Sequence, residues 1–188
     1  MARAARSVHA ALPARTGSSQ APRIVLGIDP GTATTGYGFV RATPGEGDVF
    51  EAVAYGVVET PAGEPMASRL LLLHRELRRL IATYRPAEAA VERLFFGRNT
   101  TTAITVGQAR GVALLAIAEA GLPVAEYTPA EVKQAMAGFG RAEKVQIQRI
   151  MQALLRLPEP PQPDDAADAL AIALCHLRLA RLRALGLR

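Results

Sequence analysis

Several residue types are scarce in this chain of 188 residues, and each scarcity excludes a class of protein. The single cysteine, Cys175, rules out an internal disulfide, which fits a reducing cytoplasm. No apolar run approaches the ~20 residues that a membrane-spanning helix needs, so we expect no membrane segment. With 49% apolar residues at this length, we expect a soluble globular protein with one domain.

Lysine is also scarce, although the chain as a whole is basic. It carries 22 basic residues against 17 acidic ones, a net charge of +5, yet Lys133 and Lys144 are the only lysines. This balance fits a nucleic acid or a membrane surface as partner, although it could equally serve solubility alone. The sequence therefore permits a polyanionic partner without requiring one.

The first 22 residues differ in composition from the rest of the chain. They carry Arg3, Arg6 and Arg15, no acidic residue, and many small residues and prolines. They lack the continuous apolar stretch of ~7–15 residues that a secretory signal needs. We therefore expect residues 1–22 to be a disordered basic tail and residues 23–188 to form the single folded domain.

Hydrophobic periodicity predicts strands and helices in a mixed order after the tail. Two strands that form a hairpin follow the first strand, and helices then alternate with two more strands. The predicted strands are 23–29, 35–42, 49–59, 88–95 and 123–127, and the predicted helices are 65–84, 99–120, 128–137, 141–157 and 165–185. This order predicts an α/β fold with a mixed five-stranded sheet flanked by helices.

Acidic residues are concentrated in two places that are far apart in the sequence. Of the five aspartates, Asp29 follows an apolar strand, while Asp164, Asp165 and Asp168 begin the last predicted helix. Asp165 and Asp168 are three residues apart and therefore share one face of that helix. Glu92 interrupts another apolar strand. Carboxylates brought together repel one another, and oxygen-only ligands favour Mg²⁺ or Mn²⁺ over zinc as the relieving cation.

Each acid also has a purely structural explanation. Asp29 could bond its own backbone in a turn, and Glu92 could lie on an exposed edge strand. Either Asp164 or Asp165 could cap the last helix. One cluster explains all of them together, and its members would be Asp29, Glu92, Asp165 and Asp168. Two divalent ions ~3.5–4 Å apart in such a cluster hydrolyse phosphodiesters in line, and Asp164 stays an alternative ligand to Asp165.

Two helices carry small residues that permit close approach of another backbone. Gly107 and Gly111 lie four residues apart in the helix predicted over 99–120, which makes that helix the candidate dimer interface. Ala166 and Ala169 give the last helix a slim profile. We expect this helix to pack closely on the sheet and to bring its first turn to the strand that carries Asp29.

Short segments spread from about residue 23 to residue 176 carry the pattern of a known family. They are Gly27-Ile28-Asp29-Pro30-Gly31, Thr35-Gly36-Tyr37-Gly38, Glu92 with Phe95, Gly107-Gln108-Ala109-Arg110-Gly111, Gly138-Phe139-Gly140-Arg141 and Asp165-Ala166-Ala167-Asp168. In this order the segments resemble RuvC, a family of Holliday-junction resolvases. The resemblance implies an RNase H-like fold, a homodimer and Mg²⁺-dependent symmetric nicking of four-way DNA junctions. It also implies work beside the RuvA–RuvB branch-migration complex in recombination and repair, in the cytoplasm.

The same resemblance assigns roles to individual residues. The catalytic carboxylates, which would hold two Mg²⁺ ions with Mn²⁺ as a substitute, fall on Asp29, Glu92, Asp165 and Asp168. The DNA contacts fall on Phe95, Lys133 and Lys144, and Arg98 and Arg141 are expected to join them. A lysine in a first helical turn opposes the helix dipole, which favours a phosphate contact for Lys144 over a stabilising role. Phe96 is an alternative to Phe95 as the ring that faces DNA.

Three other functions fit parts of the sequence. An actin-like or sugar-kinase ATPase would use Asp29-Pro30-Gly31-Thr32 as a phosphate loop, but it needs two facing domains, for which the chain is too short. A noncatalytic DNA-binding module would explain the charge but not the carboxylates. A nuclease for RNA–DNA hybrids would share the fold. The Asp165–Asp168 pair and the glycine–alanine helix favour the junction resolvase over that nuclease.

Overall fold

Strands and helices alternate along the part of the chain that the computed structural model describes, which is residues 7–8, 22–43, 49–93, 100–137 and 144–184. The strands are β1 (Ser7–Val8), β2 (Arg23–Asp29), β3 (Thr34–Thr43), β4 (Val49–Glu59), β5 (Glu88–Glu92) and β6 (Val124–Tyr127). The helices are α1 (Met66–Tyr84), α2 (Thr100–Glu119), α3 (Pro129–Ala137), α4 (Lys144–Leu154) and α5 (Asp164–Ala184). All five predicted strands are confirmed, with boundaries that differ by a few residues.

The strands form one mixed sheet in the order β1-β4-β3-β2-β5-β6. β2, β3 and β4 are antiparallel neighbours, whereas β5 runs parallel to β2, and β6 runs parallel to β5. The two-residue β1, which the sequence analysis did not predict, pairs with β4 at one edge. Since β5 lies between β2 and β6, it is not an edge strand. The structural explanation of Glu92 as an acid on an exposed edge strand is therefore wrong.

Helices cover both faces of the sheet. On one face α1 and α2 pack over side chains of β2 and β3, and α1 buries Leu73, Leu77 and Leu80 at the spacing of one helical face. On the other face α5, with α3 and α4 beside it, covers a second apolar cluster that includes Leu170 and Met151. The prediction of a sheet flanked by helices is confirmed.

Local signals account for most helix ends. A capping box opens α3, in which Thr128 N donates to Glu131 Oε2 (2.7 Å) and Glu131 N donates to Thr128 Oγ1 (3.2 Å). Arg85, in a left-handed conformation with φ 47°, ends α1. Arg156 has φ 53°, so α4 ends at Leu154 rather than at the predicted residue 157.

The closest packing in the molecule joins α5 to the middle of the sheet. A Cβ atom on Gly36 would overlap the backbone carbonyl of Asp165. A Cβ on Gly38 would lie 2.8 Å from the backbone nitrogen of Leu170, and one on Gly27 would overlap the carbonyl of Ala169. The backbone of α5 therefore lies directly on β2 and β3, which confirms the close packing predicted from its alanines.

Parts of the predicted organisation lie outside the described residues. Apart from the β1 pair, the predicted tail falls almost wholly there, and its disorder and the domain boundary at residue 23 stay predictions. Residues 44–48, which connect the two strands of the predicted hairpin, fall there as well. Among the described helices, none has the length and apolar character that crossing a membrane requires.

Candidate active site

The sheet and α5 bring Asp29 and Asp165 to one corner of the molecule. The antiparallel register of β2 and β3 pairs Asp29 with Gly36. Gly36 in turn lies directly under the backbone of Asp165, in the first turn of α5. Both aspartates are half-buried. Two acids that are 136 positions apart in the chain therefore meet at the carboxyl end of β2.

Glu92 and Asp168 complete the same corner. Ile28 pairs with Val91 in the parallel register of β2 and β5, so Asp29 and Glu92 end adjacent strands. Burial raises the pKa of Glu92 above its ordinary value, and the negative charge of Asp168 raises that pKa further. Asp168 is therefore near enough to Glu92 for the two charges to interact. The fold thus brings Asp29 and the first turn of α5 together through Gly36, and it ends the strand of Glu92 beside that of Asp29. The assignment of all four acids to one site stays a prediction.

Asp164 and Asp165 differ in their surroundings although they are neighbours. Asp164 is exposed, and its Oδ1 accepts a hydrogen bond from Gln148 Nε2 of α4 at 3.0 Å. Asp165 is half-buried, with its backbone on Gly36 at the sheet corner. The geometry therefore favours Asp165 over Asp164 as the member of the carboxylate group.

The possible ligands at this corner are of the chemical type that a hard divalent cation prefers. Four carboxylates supply only oxygen ligands, and a cation would relieve the electrostatic strain between Glu92 and Asp168. Within the described ranges, however, no three acidic, histidine or cysteine side chains are already gathered closely enough to hold a metal ion. The metal-ligand roles of the four acids stay predictions.

Two arginines that contact this corner were not singled out as site residues by the sequence analysis. Arg110 of α2 donates from Nε to the backbone oxygen of Glu92 at 3.2 Å. Arg69 of α1 donates from Nη2 to the backbone oxygen of Thr32, in the turn after Asp29, at 2.9 Å. In the sequence, Arg69 is indistinguishable from a solvent-exposed residue, because its helix carries several arginines. The sequence offered one signal for Arg110, which is its position as an arginine within a helix of small residues.

The expected DNA contacts are described only in part. Lys133 is exposed on α3 and makes no ion pair with any described residue. Lys144 is the first residue of α4, as predicted, but its side chain is not among those described. The other predicted contacts, Phe95, Arg98 and Arg141, lie outside the described residues, as does Phe96. Their roles stay predictions.

Comparison with known proteins decides between the functions considered for this corner. A family model described as crossover junction endodeoxyribonuclease RuvC matches residues 25–176. The chain belongs to the RuvC family. The crossover junction endodeoxyribonuclease RuvC of Moorella thermoacetica is 57% identical over 160 residues, which are 85% of this chain and 94% of that protein.

Solved structures place the fold in the same family. The structure of T. thermophilus RuvC in complex with Holliday junction substrate superposes with a TM-score of 0.80 at 40% identity, covering 86% of this chain and 96% of that one. The yeast mitochondrial Holliday junction resolvase Ydc2 shares the fold at 16% identity, with a TM-score of 0.56. The predicted RNase H-like fold and endonuclease class are confirmed, and the ATPase and noncatalytic alternatives are excluded.

Proposed function

We propose that this RuvC-family chain resolves four-way DNA junctions by nicking two strands symmetrically, during homologous recombination and DNA repair. The observation that carries the proposal is the convergence of acids from β2, β5 and α5 at one sheet corner, with Asp29 and Asp165 joined through Gly36. A relative 40% identical to this chain has been solved with its Holliday junction substrate. The same arrangement on a basic protein suits a polyanionic substrate.

The four acids would hold the cations that hydrolysis requires. The family's nucleases are metal-dependent, and we infer Mg²⁺, two ions per site, with Mn²⁺ as a substitute. Bound cations would activate the attacking water and stabilise the departing oxygen. Asp29 and Glu92 would contribute ligands from rigid strand ends, and Asp165 and Asp168 would contribute them from one helical turn. Holding these groups on packed elements reduces the reorganisation needed during the reaction.

A substrate panel tests this proposal. Labelled four-way junction, linear duplex and RNA–DNA hybrid are incubated with the protein in Mg²⁺ or in EDTA. We expect paired nicks in the junction with Mg²⁺ and no cleavage in EDTA. Preferential cutting of the hybrid would instead favour the RNase H-type nuclease, and cleavage that persists in EDTA would contradict the metal-dependent site.

Symmetric nicking requires two active sites related by a two-fold axis, so we infer a homodimer. The supporting observation is an exposed stripe on α2 at heptad spacing, in which Ile104 is 64% exposed and Leu115 is 52% exposed. The other members of this stripe, Gln108, Gly111 and Ala118, are also exposed. A second copy of the chain that packs on this stripe would remove its large apolar side chains from water.

Substitutions on the stripe separate dimerisation from folding. Leu115→Glu places a charge on the inferred interface and is expected to give a monomer in sedimentation at micromolar concentration. Gly111→Leu is expected to weaken the dimer, since it fills space needed by the partner helix. Leu182→Glu, at a site on α5 that is 40% exposed, is the matched control. A wild-type monomer that still cuts both strands coordinately would contradict the proposal.

Lys133 and Lys144 are inferred to contact phosphates of the junction. Lys133→Ala should weaken junction binding and flatten the dependence of log K on log salt by about one unit or less. Sequence preference at the cut should stay unchanged, because phosphates carry no base identity. Gln134→Ala, on the next exposed position of α3, is the control. An altered cut sequence with an intact salt slope would show that the lysine reads bases.

Phe95 is inferred to stack on a base at the junction centre, beside Arg98 and Arg141 as further phosphate contacts. Stacking returns ~1–3 kcal/mol of the cost of opening the crossover. Phe95→Ala should therefore slow cleavage more than it weakens binding, and mismatched pairs at the crossover should partly restore the rate. Phe96→Ala is the control, and the rescue pattern in that variant alone would exchange the roles of the two rings.

The resemblance to the family also supports RuvA–RuvB as the branch-migration partner and the cytoplasm as the location. If this partnership exists, adding a RuvA–RuvB complex to a junction assay should raise the rate of resolution by this chain. An unchanged rate and cut pattern in the presence of active RuvA–RuvB would count against a direct partnership.

A further inference from the structure

The end of β5 is held by an arginine from the helix that follows it. Arg110 of α2 donates from Nε to the backbone oxygen of Glu92 at 3.2 Å, and its Nη2 lies 2.6 Å from Glu126 Oε2 on β6. The Arg110 side chain is only 16% exposed, whereas that of its partner Glu126 is 37% exposed. One guanidinium therefore joins the last residue of β5 to the neighbouring strand, at the position of a candidate catalytic acid.

The turn after β2 is held in a similar way by α1. Arg69 donates from Nη2 to the backbone oxygen of Thr32 (2.9 Å) and from Nε to Thr60 Oγ1 (2.9 Å). Thr60 Oγ1 donates to the same Thr32 oxygen at 2.6 Å, and the Thr60 backbone nitrogen donates to Ala33 O at 2.9 Å. Thr60 is only 7% exposed. A small hydrogen-bond network thus connects the turn directly after Asp29 to Thr60, which follows β4, and to Arg69 of α1.

Hydrogen bonds from within this turn and from outside it both hold its shape. Its internal support includes one side-chain hydrogen bond, from Thr35 Oγ1 to Gly31 O at 2.6 Å. The buried Oγ1 of Thr32 has no hydrogen-bond partner among the described residues, which makes this conformation costly for the turn alone. Contacts from Arg69 and Thr60 therefore help to fix the path of the backbone just after Asp29.

We propose that Arg69 and Arg110 are positioning residues for the nuclease reaction, which fix the ends of the two strands that carry Asp29 and Glu92. Neither arginine needs to touch DNA or a cation for this role. Each acts through backbone that is continuous with a carboxylate of the site, and a shift of about 1 Å in such a group can cost roughly a hundredfold in rate. The inference rests on the proposed function, because it assigns these residues to the same reaction.

The two other roles that an arginine near this site could have make different predictions. A phosphate contact would weaken junction binding and change its salt dependence. A purely structural arginine would lower thermal stability, but the reaction would be unaffected at a temperature where the protein stays folded. A positioning residue leaves binding intact while it lowers the cleavage rate and the affinity of the site for cations.

The variants Arg69→Gln and Arg110→Gln test the proposal, with Arg79→Gln as the matched control. Arg79 lies on α1, and among the described residues its side chain pairs with Glu76 at the surface of that helix. Three quantities are measured at a temperature where all variants are folded. They are single-turnover cleavage at saturating junction, junction binding in EDTA, and Mn²⁺ affinity by electron paramagnetic resonance without DNA.

For both test variants we expect cleavage to fall about tenfold to a hundredfold, Mn²⁺ affinity to fall several-fold, and binding in EDTA to change less than twofold. The control should match the wild type in all three. Thr60→Val, which removes one bridge without removing charge, should show a smaller loss of the same kind. It should be non-additive with Arg69→Gln, since both alter one network.

Wild-type rates and Mn²⁺ affinity in the Arg69 and Arg110 variants would overturn the proposal. So would a loss confined to binding, with a flatter salt dependence, because that result identifies a phosphate contact. If a glutamine variant does not fold, Arg69→Lys, Arg110→Lys and Thr60→Val replace it, and normal cleavage by all three would refute the positioning role. A wild-type protein that fails to cut junctions refutes the proposed function instead, while the Mn²⁺ measurement still tests the positioning role.

Discussion

Two surfaces that contain glycine, one inside the molecule and one outside, are packed in opposite ways. At the inner surface, β2 and β3 present Gly27, Gly36 and Gly38 to α5, and no side chain would fit between the two backbones. At the outer surface, a Cβ on Gly111 of α2 would meet nothing within 4 Å. The same residue type thus marks a contact that the folded chain satisfies and one that it leaves open. In the proposed dimer, the helix of a second copy would cover the open surface.

We expect the largest loss of stability from adding one methyl group to the inner surface. Gly36→Ala would push the first turn of α5 off the sheet, and we expect it to cost about 3 kcal/mol or more of unfolding free energy. Because Asp165 moves with that turn, cleavage should be lost as well. Urea denaturation monitored by circular dichroism measures the first effect, and a junction assay measures the second.

The matched change at the outer surface is Gly111→Ala. Alanine has a higher helix propensity than glycine by about 1 kcal/mol and meets no obstacle in the monomer, so the unfolding free energy should rise. Equal effects of the two substitutions on stability would mean that the inner and outer surfaces do not differ as described.

Two neighbouring aspartates at the inner surface sharpen the comparison. Asp165→Asn should reduce cleavage by orders of magnitude, whereas Asp164→Asn should have a much smaller effect, since Asp164 is exposed and bonded to Gln148. Single-turnover rates of the two variants, with junction binding as a control, make the test. The reverse order would move the ligand to Asp164.

A smaller effect concerns Glu88, the first residue of β5, which pairs with Arg23 of β2 and with His176 of α5. Burial alone would raise the pKa of Glu88, but hydrogen bonds from Arg23 and His176 outweigh it and hold that pKa below its ordinary value of 4.5. The stability from Glu88 is therefore present above pH 4.5 and is lost as the pH falls through the lowered pKa.

The substitution Glu88→Gln tests this dependence. It should cost about 1–2 kcal/mol at pH 7, the scale of hydrogen bonds to charged groups, and the difference from the wild type should shrink below pH 4.5. Urea denaturation at several pH values provides the measurement. A difference that does not vary with pH would rule out the ionised carboxylate as its source.

The smallest expected effect is a gain in stability at the site itself. Burial and then the charge of Asp168 raise the pKa of Glu92, so ionisation of Glu92 disfavours the folded state. In EDTA, Glu92→Gln should therefore be slightly more stable than the wild type at pH 7, and the gain should vanish below the ordinary pKa of glutamate, near 4.5. Thermal unfolding at both pH values would detect it, and a loss at neutral pH would contradict the shift.

Much of the fold was predictable because its determinants are local. The capping box at Thr128 and the leucine spacing of α1 each depend on a few nearby residues, and both helices are found where they were predicted. The meeting of the end of β2 with the first turn of α5 was predictable from the rarity of the acids and from the alanines of α5. The roles of Arg69 and Arg110 were not predictable. The local sequence does not distinguish an arginine that donates to a distant backbone carbonyl from one that is exposed to solvent.

The substitution Asp29→Asn tests the central claim most directly, because it keeps the size of the side chain and removes the charge at the end of β2. Cleavage of a four-way junction in Mg²⁺ and binding of the same junction in Ca²⁺ are measured side by side with the wild type. We predict that cleavage falls by orders of magnitude while binding is retained. Near-normal cleavage by the Asp29→Asn protein would contradict the assignment of the active site to this corner of the sheet.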